Sequence, residues 1–445
     1  MYRIRETEGI GNSDAAHSLL LDPDGDRRLE LAPLRGVRFA ARPTRDLGPE
    51  TAPPDAHQDP GVVRRLLDRT PHNVIRLVPH GRTGLDLAAG RLHHWLDRGV
   101  LAADPEPALY VYQQTRDGHV LQRGLVGALG IREEEDRVVL PHEDVFAGPV
   151  AERLELTRSA TANLEPLYCV HQGAAAAARV VEDTARTAPP VTLATAEDGI
   201  THSLRRVTDP AALRAVADDL AGRQVLIADG HHRYAAYQAL RREHREAGHG
   251  RGPWDYGLAL LVDMTAYPVP VDAVHRVLPG LSVREAAHRA RGLCSVRRLT
   301  GGLSAAHQAL AAAGRTGNAF LLSGHGEHHL VTGPGTPAPH EAGHGSRSAS
   351  RRQTDTAVLH HFLIPLMLGD RAVAAQDVRP HRGTPENAVT EADRWGGTAV
   401  IVNPVSLDEV FARARAGERM PHKSTAFGLK PRTGMVLRTF TTGPS

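Results

Sequence analysis

Apolar positions along the chain switch repeatedly between short strand-like runs and longer helical spacings. Leu34 to Ala40 and Asn73 to Pro79 (NVIRLVP) have the form of strands. Between them, PTRDLGPETAPPDAHQDP is rich in Pro and Asp and reads as a surface loop, with Pro53-Pro54 excluding a helix. Leu85, Leu87, Leu92 and Trp95 recur at helical spacing, which predicts a helix over 84–99 lying with one face on a sheet. The run ALYVYQQTRDGHVLQRGLVGALGI predicts two strands joined at Asp117-Gly118. Val138 to Leu140 predicts a strand that leads into PHED, and the segment after it takes helical spacing. GAAAAARVVEDTART predicts a helix, HSLRRV a strand, and DPAALRAVADDLAG a helix capped by Asp209.

The pattern continues with VLIADGHHRYAAYQAL, a strand that stops at Asp229-Gly230 and restarts as an amphipathic helix. GLALLVDMTAYPVP reads as a buried strand and is followed by VDAVHRVLPG. Gly326 to Arg352 is rich in Gly, Pro, Ser and His and reads as a loop or mobile insert. TDTAVLHHFLIPLML then predicts a helix, AVIVNPV a strand, and SLDEVFARARAGE a helix ending at Gly417. Strands and helices alternating in this way predict a mixed α/β fold. A chain of 445 residues exceeds one ordinary core. The expected division is an N-terminal α/β region over 1–104, a central core over 105–285, and a C-terminal α/β domain over 286–445 carrying the His-rich insert (326–352) and a Lys-Ser-Thr loop.

Composition narrows the partners. A net charge of +2 with 4% aromatics supplies neither a basic stripe nor a stacking platform, so nucleic acid is not expected as the main partner. The apolar run from Phe362 to Leu368 is too short to span a bilayer, and the start MYRIRETEGIGN is mixed in charge, so a soluble cytoplasmic protein is expected. Two cysteines, Cys169 and Cys294, exclude a disulfide framework and a four-cysteine zinc site. His340-Glu341-Ala342-Gly343-His344 spells a zinc-protease pattern, but Pro337, Pro339, Gly343 and Gly345 oppose the helix that chemistry needs. Lysine occurs only at Lys423 and Lys430, both in MPHKSTAFGLKPRTG, against arginine everywhere else. Two compact ammonium groups in one loop point to places that need a point charge or a small donor, the alternative being chance clustering in a surface loop.

The most informative stretch is Asp229 to Arg233. A strand passing through a glycine into a helix leaves free backbone N–H groups at the positive end of the helix dipole, which favours an anion. His231, His232 and Arg233 add side-chain donors, while Asp229 brings the opposite charge, so a phosphate would need a cation or a hydroxyl proton between them. As a bare turn, Asp-Gly is common and Arg on a first turn is usually solvated; the adjacent histidines are harder to explain by packing. His142, Glu143 and Asp144 lie at a strand exit, where reactive side chains tend to be presented, although an acidic turn is often only solvated. His275-Arg276 could reach the same site or pack against a sheet. Lys423-Ser424 resembles the end of a phosphate-binding loop, but His422 stands where glycine is required, so a Walker site is excluded.

IADGHHRYAAYQAL, with PHED upstream, VHRVL downstream and MPHKSTAFGLKPRTG at the end, resembles a large bacterial family of unknown function, number 1015. DGHHR and PHE also resemble motifs of archaeal free-serine kinases built on the fold shared by ParB and sulfiredoxin. That resemblance implies a ParB- or sulfiredoxin-like central domain, with Glu143 as base toward a substrate hydroxyl. Asp229 to Arg233 would hold nucleotide phosphates and a metal. PTRDLG departs from the segment more usual at its position in the family, a difference that bears on substrate contacts.

The expectation is therefore nucleotide-dependent phosphorylation of a small hydroxylated metabolite, free serine first, with ATP or ADP as donor and Mg2+ at Asp229. Glu143, Asp229 and His232 are the expected catalytic residues. Gly230, His231, Arg233, Lys423, Ser424 and Thr425 would bind nucleotide, and His142, His275, Arg276 and Lys430 the substrate. Rival readings are a phosphoserine hydrolase, a ParB-type nucleotide-binding regulator without turnover, and a scaffold with no ligand. Nucleotide and a small substrate are the expected partners, no membrane is expected, and a homodimer is among the assemblies left open.

Overall fold

The computed structural model describes residues 27–40, 45–79, 84–333, 354–369, 378–421 and 423–440. Its fold is mixed α/β, organised on two large sheets. The first has nine strands among the described residues: β1 (Leu31–Ala32), β2 (Leu109–Arg116), β3 (His119–Gly130), β4 (Val139–Leu140), β5 (Leu167–His171), β6 (Thr192–Thr195), β7 (Thr201–Val207), β8 (Val225–Asp229) and β9 (Tyr256–Asp263). They lie in the order β4-β8-β5-β9-β3-β2-β7-β6, with β1 on β3. The second sheet combines β10 (Val271–Leu278), β11 (Ser295–Leu299), β12 (Ala319–Gly324), β13 (Glu327–Thr332), β14 (Arg379–Arg382), β15 (Thr398–Val402) and β16 (Thr425–Phe427). Every pairing in it is antiparallel.

Both faces of the first sheet are covered, which is why its strands read as nearly continuous apolar runs. One face carries Leu109, Val111, Cys169, Val225 and Ile227 against helices that include α1 (Ala175–Thr187) and α2 (His231–Glu246). The other carries Tyr110, Tyr112, Tyr168 and Leu204 against the N-terminal region around Leu34, Leu77 and Trp95. The C-terminal tail packs into that same layer through Phe427, Met435, Val436 and Leu437. The tail and the N-terminal region are also joined by backbone hydrogen bonds in both directions, between Ala52 and Thr433 and between Val37 and Leu437.

Several local expectations change in the fold. NVIRLVP does not form a strand: Val74–Leu77 is a 3-10 turn whose cap, Asn73, accepts from Ile75 N at 2.9 Å. The Asn73 amide also donates to the Pro49 and Thr51 carbonyls. A short apolar run fits a buried turn as well as a strand, and this tertiary cap decides it. The proline-rich stretch is not a surface loop throughout, because Leu47, Glu50, Thr51 and Ala52 are buried beneath the tail. Residues 327–332, placed in the insert, form β13, the second arm of a hairpin with β12; His340 and His344 lie outside the described residues. The Lys-Ser-Thr loop becomes strand at Thr425, where β16 pairs with β10.

Tyr110 ties the N-terminal region to the first sheet, its hydroxyl accepting from Gly36 N (2.8 Å) and donating to Asp104 Oδ2 (2.7 Å). Tyr110→Phe leaves a buried N–H without an acceptor and a buried carboxylate short of a donor. A loss of about 1–3 kcal/mol in urea unfolding, at unchanged denaturant slope, is the expected outcome.

Candidate functional site

The site is built where β8 ends. The β8–β5 register shifts between Ile227 and Asp229, so one extra residue enters β8 just before the acid and re-aims it. Gly230 then turns at φ 101°, and α2 begins at His231. A Cβ on Gly230 would meet Leu167 at 3.0 Å and the Arg233 guanidinium at 3.2 Å, so glycine serves both the left-handed turn and the close approach. The sixteen residues of α2 aim the orphan N–H groups of His231 to Arg233 outward from its first turn.

Asp229 is saturated by cations. Arg233 Nη2 donates to Oδ2 at 2.7 Å and Lys430 Nζ donates to Oδ1. Lys430 also donates to Asp55 Oδ2 at 2.6 Å. Burial alone would raise the Asp229 carboxyl; the ammonium and guanidinium overcome that and hold it below the usual carboxylate range. Lys430 is raised by its two carboxylates against its own desolvation. Its position is fixed from the sheet, because Gln122 on β3 donates to the Leu429 carbonyl and Gln114 on β2 to the Lys430 carbonyl, each at 3.0 Å. Beyond Arg233 the charges continue: Arg153 lies 3.6 Å from Glu165, and Arg382 lies 3.6 Å from Asp55.

Next to this cluster lies a second one built for protons. The tail runs along the strand exit, with Met420 N donating to the His142 carbonyl at 2.8 Å, and this lays Ser424 and Thr425 over Glu143. Glu143 Oε1 takes Ser424 N–H at 3.2 Å and lies 3.1 Å from Thr425 Oγ1. Burial pushes its carboxyl above the ordinary value, and these hydrogen bonds only partly offset that. His142 is fully buried, with Nδ1 2.9 Å from the Ile227 carbonyl and Nε2 2.9 Å from Thr425 Oγ1. Burial lowers it to about 4, so it is neutral near pH 7.

Counting donors fixes the protons. A carbonyl only accepts, so His142 carries its hydrogen on Nδ1, which leaves Nε2 an acceptor. The Thr425 hydroxyl has one proton and two acceptors within reach, His142 Nε2 and Glu143 Oε1, and donates to one of them at a time. Glu143, Thr425 and His142 thus form a chain along which a proton can be taken up. His231 lies beside this chain rather than in it: its Nε2 accepts from the His142 backbone N–H at 3.4 Å, its ring meets the His142 ring edge to face, and burial drives it well below its ordinary value too.

The remaining predicted residues divide. Arg276 reaches the site indirectly: buried in β10, it donates to the Lys423 carbonyl at 2.9 Å and to His360 at 3.0 Å, holding the loop from behind. His275 is not brought there. Neighbouring strand side chains point to opposite faces, and His275 Nδ1 accepts from Val402 N at 3.4 Å in the second sheet. His232 accepts from Phe146 N at 3.1 Å and its ring lies over Phe146, which is exposed. Lys423 is exposed at φ 52°. Asp55, Arg153, Glu165 and Arg382 were not anticipated. Asp55 carried no signal, being one acid in a proline-rich stretch.

The donor set does not fit a divalent cation at Asp229. Both of its oxygens are engaged by cations, and among the described residues no group of three or more His, Cys, Asp or Glu side chains is placed to hold a metal. No helix among the described residues is long and apolar enough to cross a membrane.

Fold and site define a mixed α/β protein in which a buried ion cluster and a neutral imidazole–hydroxyl–carboxyl chain flank one helix start. A family described as protein of unknown function (DUF1015) matches residues 31–342, and the chain belongs to that family. No curated protein matches the sequence. Among solved structures, a free serine kinase mutant in complex with ADP overlaps with TM-score 0.36 and 14% identity, over 70% of this chain and 92% of that one. SbnI with a C-terminal truncation, from Staphylococcus aureus, overlaps with TM-score 0.34 and 9% identity, over 70% and 87%. A conserved hypothetical protein from Pyrococcus furiosus gives TM-score 0.34 and 14% identity, over 70% and 95%.

Lys430→Met leaves Asp229 and Asp55 without their shared cation and should cost about 3–5 kcal/mol at neutral pH. The sign of its pH dependence follows from the lowered Asp229 carboxyl. A depressed acid contributes stability above its unfolded value, and that contribution is lost as pH falls through the folded value. Melting temperatures of parent and variant should therefore lie furthest apart near neutrality and converge on the acid side.

Proposed function

We propose that the chain transfers a phosphoryl group from a nucleotide, ATP or ADP, to the hydroxyl of a small metabolite, with free serine the first candidate. The observation that carries this reading is Glu143. Its carboxyl is buried, raised by that burial, touched by one hydroxyl and by backbone N–H, and next in sequence to His142, whose backbone N–H reaches His231 at the start of α2. Such a carboxyl is poised to accept a proton when ionised. The resemblance to free-serine kinases gives the same role to Glu143, within a central domain of ParB- or sulfiredoxin-like type.

In the proposed step the substrate oxygen forms a bond to the terminal phosphorus as the bond from phosphorus to the bridging oxygen breaks. The hydroxyl proton passes to Glu143, and the nucleotide leaves one phosphate shorter. The N–H groups at the start of α2, with Lys423 nearby, offset charge on the transferring group. Asp229, Arg233 and Lys430 fix the turn rather than touch the reacting atoms. No step is routed through a metal.

Glu143→Gln should lower turnover of serine with nucleotide by roughly 100- to 10,000-fold, while nucleotide still raises the melting temperature. Since Glu143 must be ionised to act and burial raises it, the acid limb of kcat/KM in the parent should lie above the ordinary carboxylate range. Asp229→Asn and Arg233→Ala should each abolish the nucleotide-linked thermal shift. Absence of any shift in the parent, with phosphate released from phosphoserine alone, would replace this reading with a hydrolase.

A further inference from the structure

A cavity of about 380 Å³, within the size range of small-ligand sites, is lined by the helix Pro60–Arg69, the β6–β7 turn and the returning tail. Pro53, Leu66, Ile200 and Leu429 give it apolar walls. Its charged lining is accounted for except at one residue. Lys430 is committed to Asp55 and Asp229, and Glu197 is bonded by Arg69 at 2.7 Å. Arg65 and Asp198 are opposite in sign and exposed to water. That leaves Arg432, which is 4% exposed.

Arg432 is a buried cation bonded only to neutral oxygens. Nε donates to Thr51 Oγ1 at 2.6 Å and Nη2 to the Gly48 carbonyl at 3.1 Å, while Nη1 has no partner among the described residues. The acids around it are held elsewhere: Asp46 by the N–H groups of Gly48 and Thr195, Glu197 by Arg69, and Asp198 by Ile200 N–H. Burial accordingly lowers the guanidinium below the ordinary arginine value in spite of Asp198 and Glu197. Leaving a buried charge unmatched is costly, and an anion that meets it recovers that cost. His202, buried and also in the lining, supplies a second donor. The Tyr112 hydroxyl receives Arg432 N–H at 3.0 Å and Gln114 Nε2–H at 3.4 Å, which fills its lone pairs, so its own proton goes to His202 Nδ1, 2.6 Å away. Burial, with the Arg432 charge nearby, lowers His202 to about 4, so the ring is neutral and its one hydrogen sits on Nε2, which has no partner among the described residues. Arg432 Nη1 and His202 Nε2 both keep accessible surface, and both residues line the cavity.

We propose that this cavity binds a small organic monocarboxylate with a branched apolar body, its carboxylate accepting from Arg432 Nη1 and His202 Nε2 and its hydrocarbon lying against Pro53, Leu66, Ile200 and Leu429. Two N–H donors, one of them cationic, make charge-assisted bonds to a carboxylate and match its single charge. Phosphate carries more charge than one guanidinium neutralises and has no hydrocarbon to cover the walls. The inference is independent of the phosphotransfer reading, because Glu143, Ser424 and Thr425 are not in the lining and neither nucleotide nor hydroxyl takes part in the recognition.

The test is calorimetric titration of the full chain with 4-methylpentanoate, 4-methylpentanamide, acetate and inorganic phosphate. The long carboxylate should bind roughly tenfold or more tightly than its amide, which keeps the shape without the charge. It should exceed acetate, which keeps the charge without the body, by roughly tenfold or more. Inorganic phosphate should bind more weakly than 4-methylpentanoate. Arg432→Gln should weaken binding of the carboxylate by roughly tenfold or more, and Ala196→Trp, which fills the cavity from its lining while leaving both donors, should abolish it. If Arg432→Gln fails to fold, Ala196→Trp decides. No binding of 4-methylpentanoate by the parent, equal binding of the amide, acetate or phosphate, or binding untouched by Ala196→Trp would overturn the proposal. Displacement by free serine would overturn it as well, since the cavity would then be the acceptor pocket of the phosphotransfer reading. The Glu143→Gln assay uses nucleotide and serine alone, so the two readings fail separately.

Discussion

A carboxylate buried at the end of a strand cannot stay charged without a cation, and the architecture follows from how Asp229 obtains one. Arg233, four residues on, supplies half of the neutralisation locally. The other half is Lys430, far away in sequence, which must be carried back across the first sheet. That return is held by Gln114 and Gln122 through the Leu429 and Lys430 carbonyls, by Arg432 through Thr51 and Gly48, and by the backbone ladder with Ala52 and Val37. Each tether belongs to a different part of the chain. The ion cluster therefore closes only when the N-terminal segment, the first sheet and the tail are all in place, which ties its stability to that of the whole fold.

Lysine rather than arginine suits Lys430 because its ammonium is bonded by two carboxylates from different elements, Asp55 and Asp229. A compact charge satisfies both, whereas a planar fork is shaped for a single bidentate partner. The same segment serves the neutral half of the site by a different device. There the tail adds a strand to β10, and the register of Ala273 with Thr425 sets the hydroxyl between His142 and Glu143. Arg276, on the same strand, holds the turn before it through the Lys423 carbonyl. One stretch of about eight residues thus brings a charge to one cluster and a proton carrier to the other.

What the sequence made legible was whatever is local. The strand, glycine turn and helix from Val225 to Leu240 are written in the alternation of the residues themselves, as is the hairpin at Asp117-Gly118. The oddity of two lysines in one loop pointed to the tail without saying where it goes. Asp55 could not be found, because its importance comes from the fold of the segment around it and not from its neighbours in sequence. NVIRLVP misled for a related reason: its apolar run fits a strand, but the Asn73 cap and the burial of Val74, Ile75 and Leu77 make it a turn. His275 shows the cost of reading adjacent residues as a pair inside a strand, where only one of the two can face the site.

The first sheet and the ion cluster are mechanically one element. The Gln114 amide donates to the Lys430 carbonyl, and the Tyr112 hydroxyl that bonds His202 also takes the Arg432 N–H two residues further on. Ordering those peptides fixes the stem of the side chain that neutralises Asp229. Whatever loosens this face of the sheet is therefore felt at the start of α2, and the coupling runs in both directions, because a cluster that closes also holds the tail against the sheet.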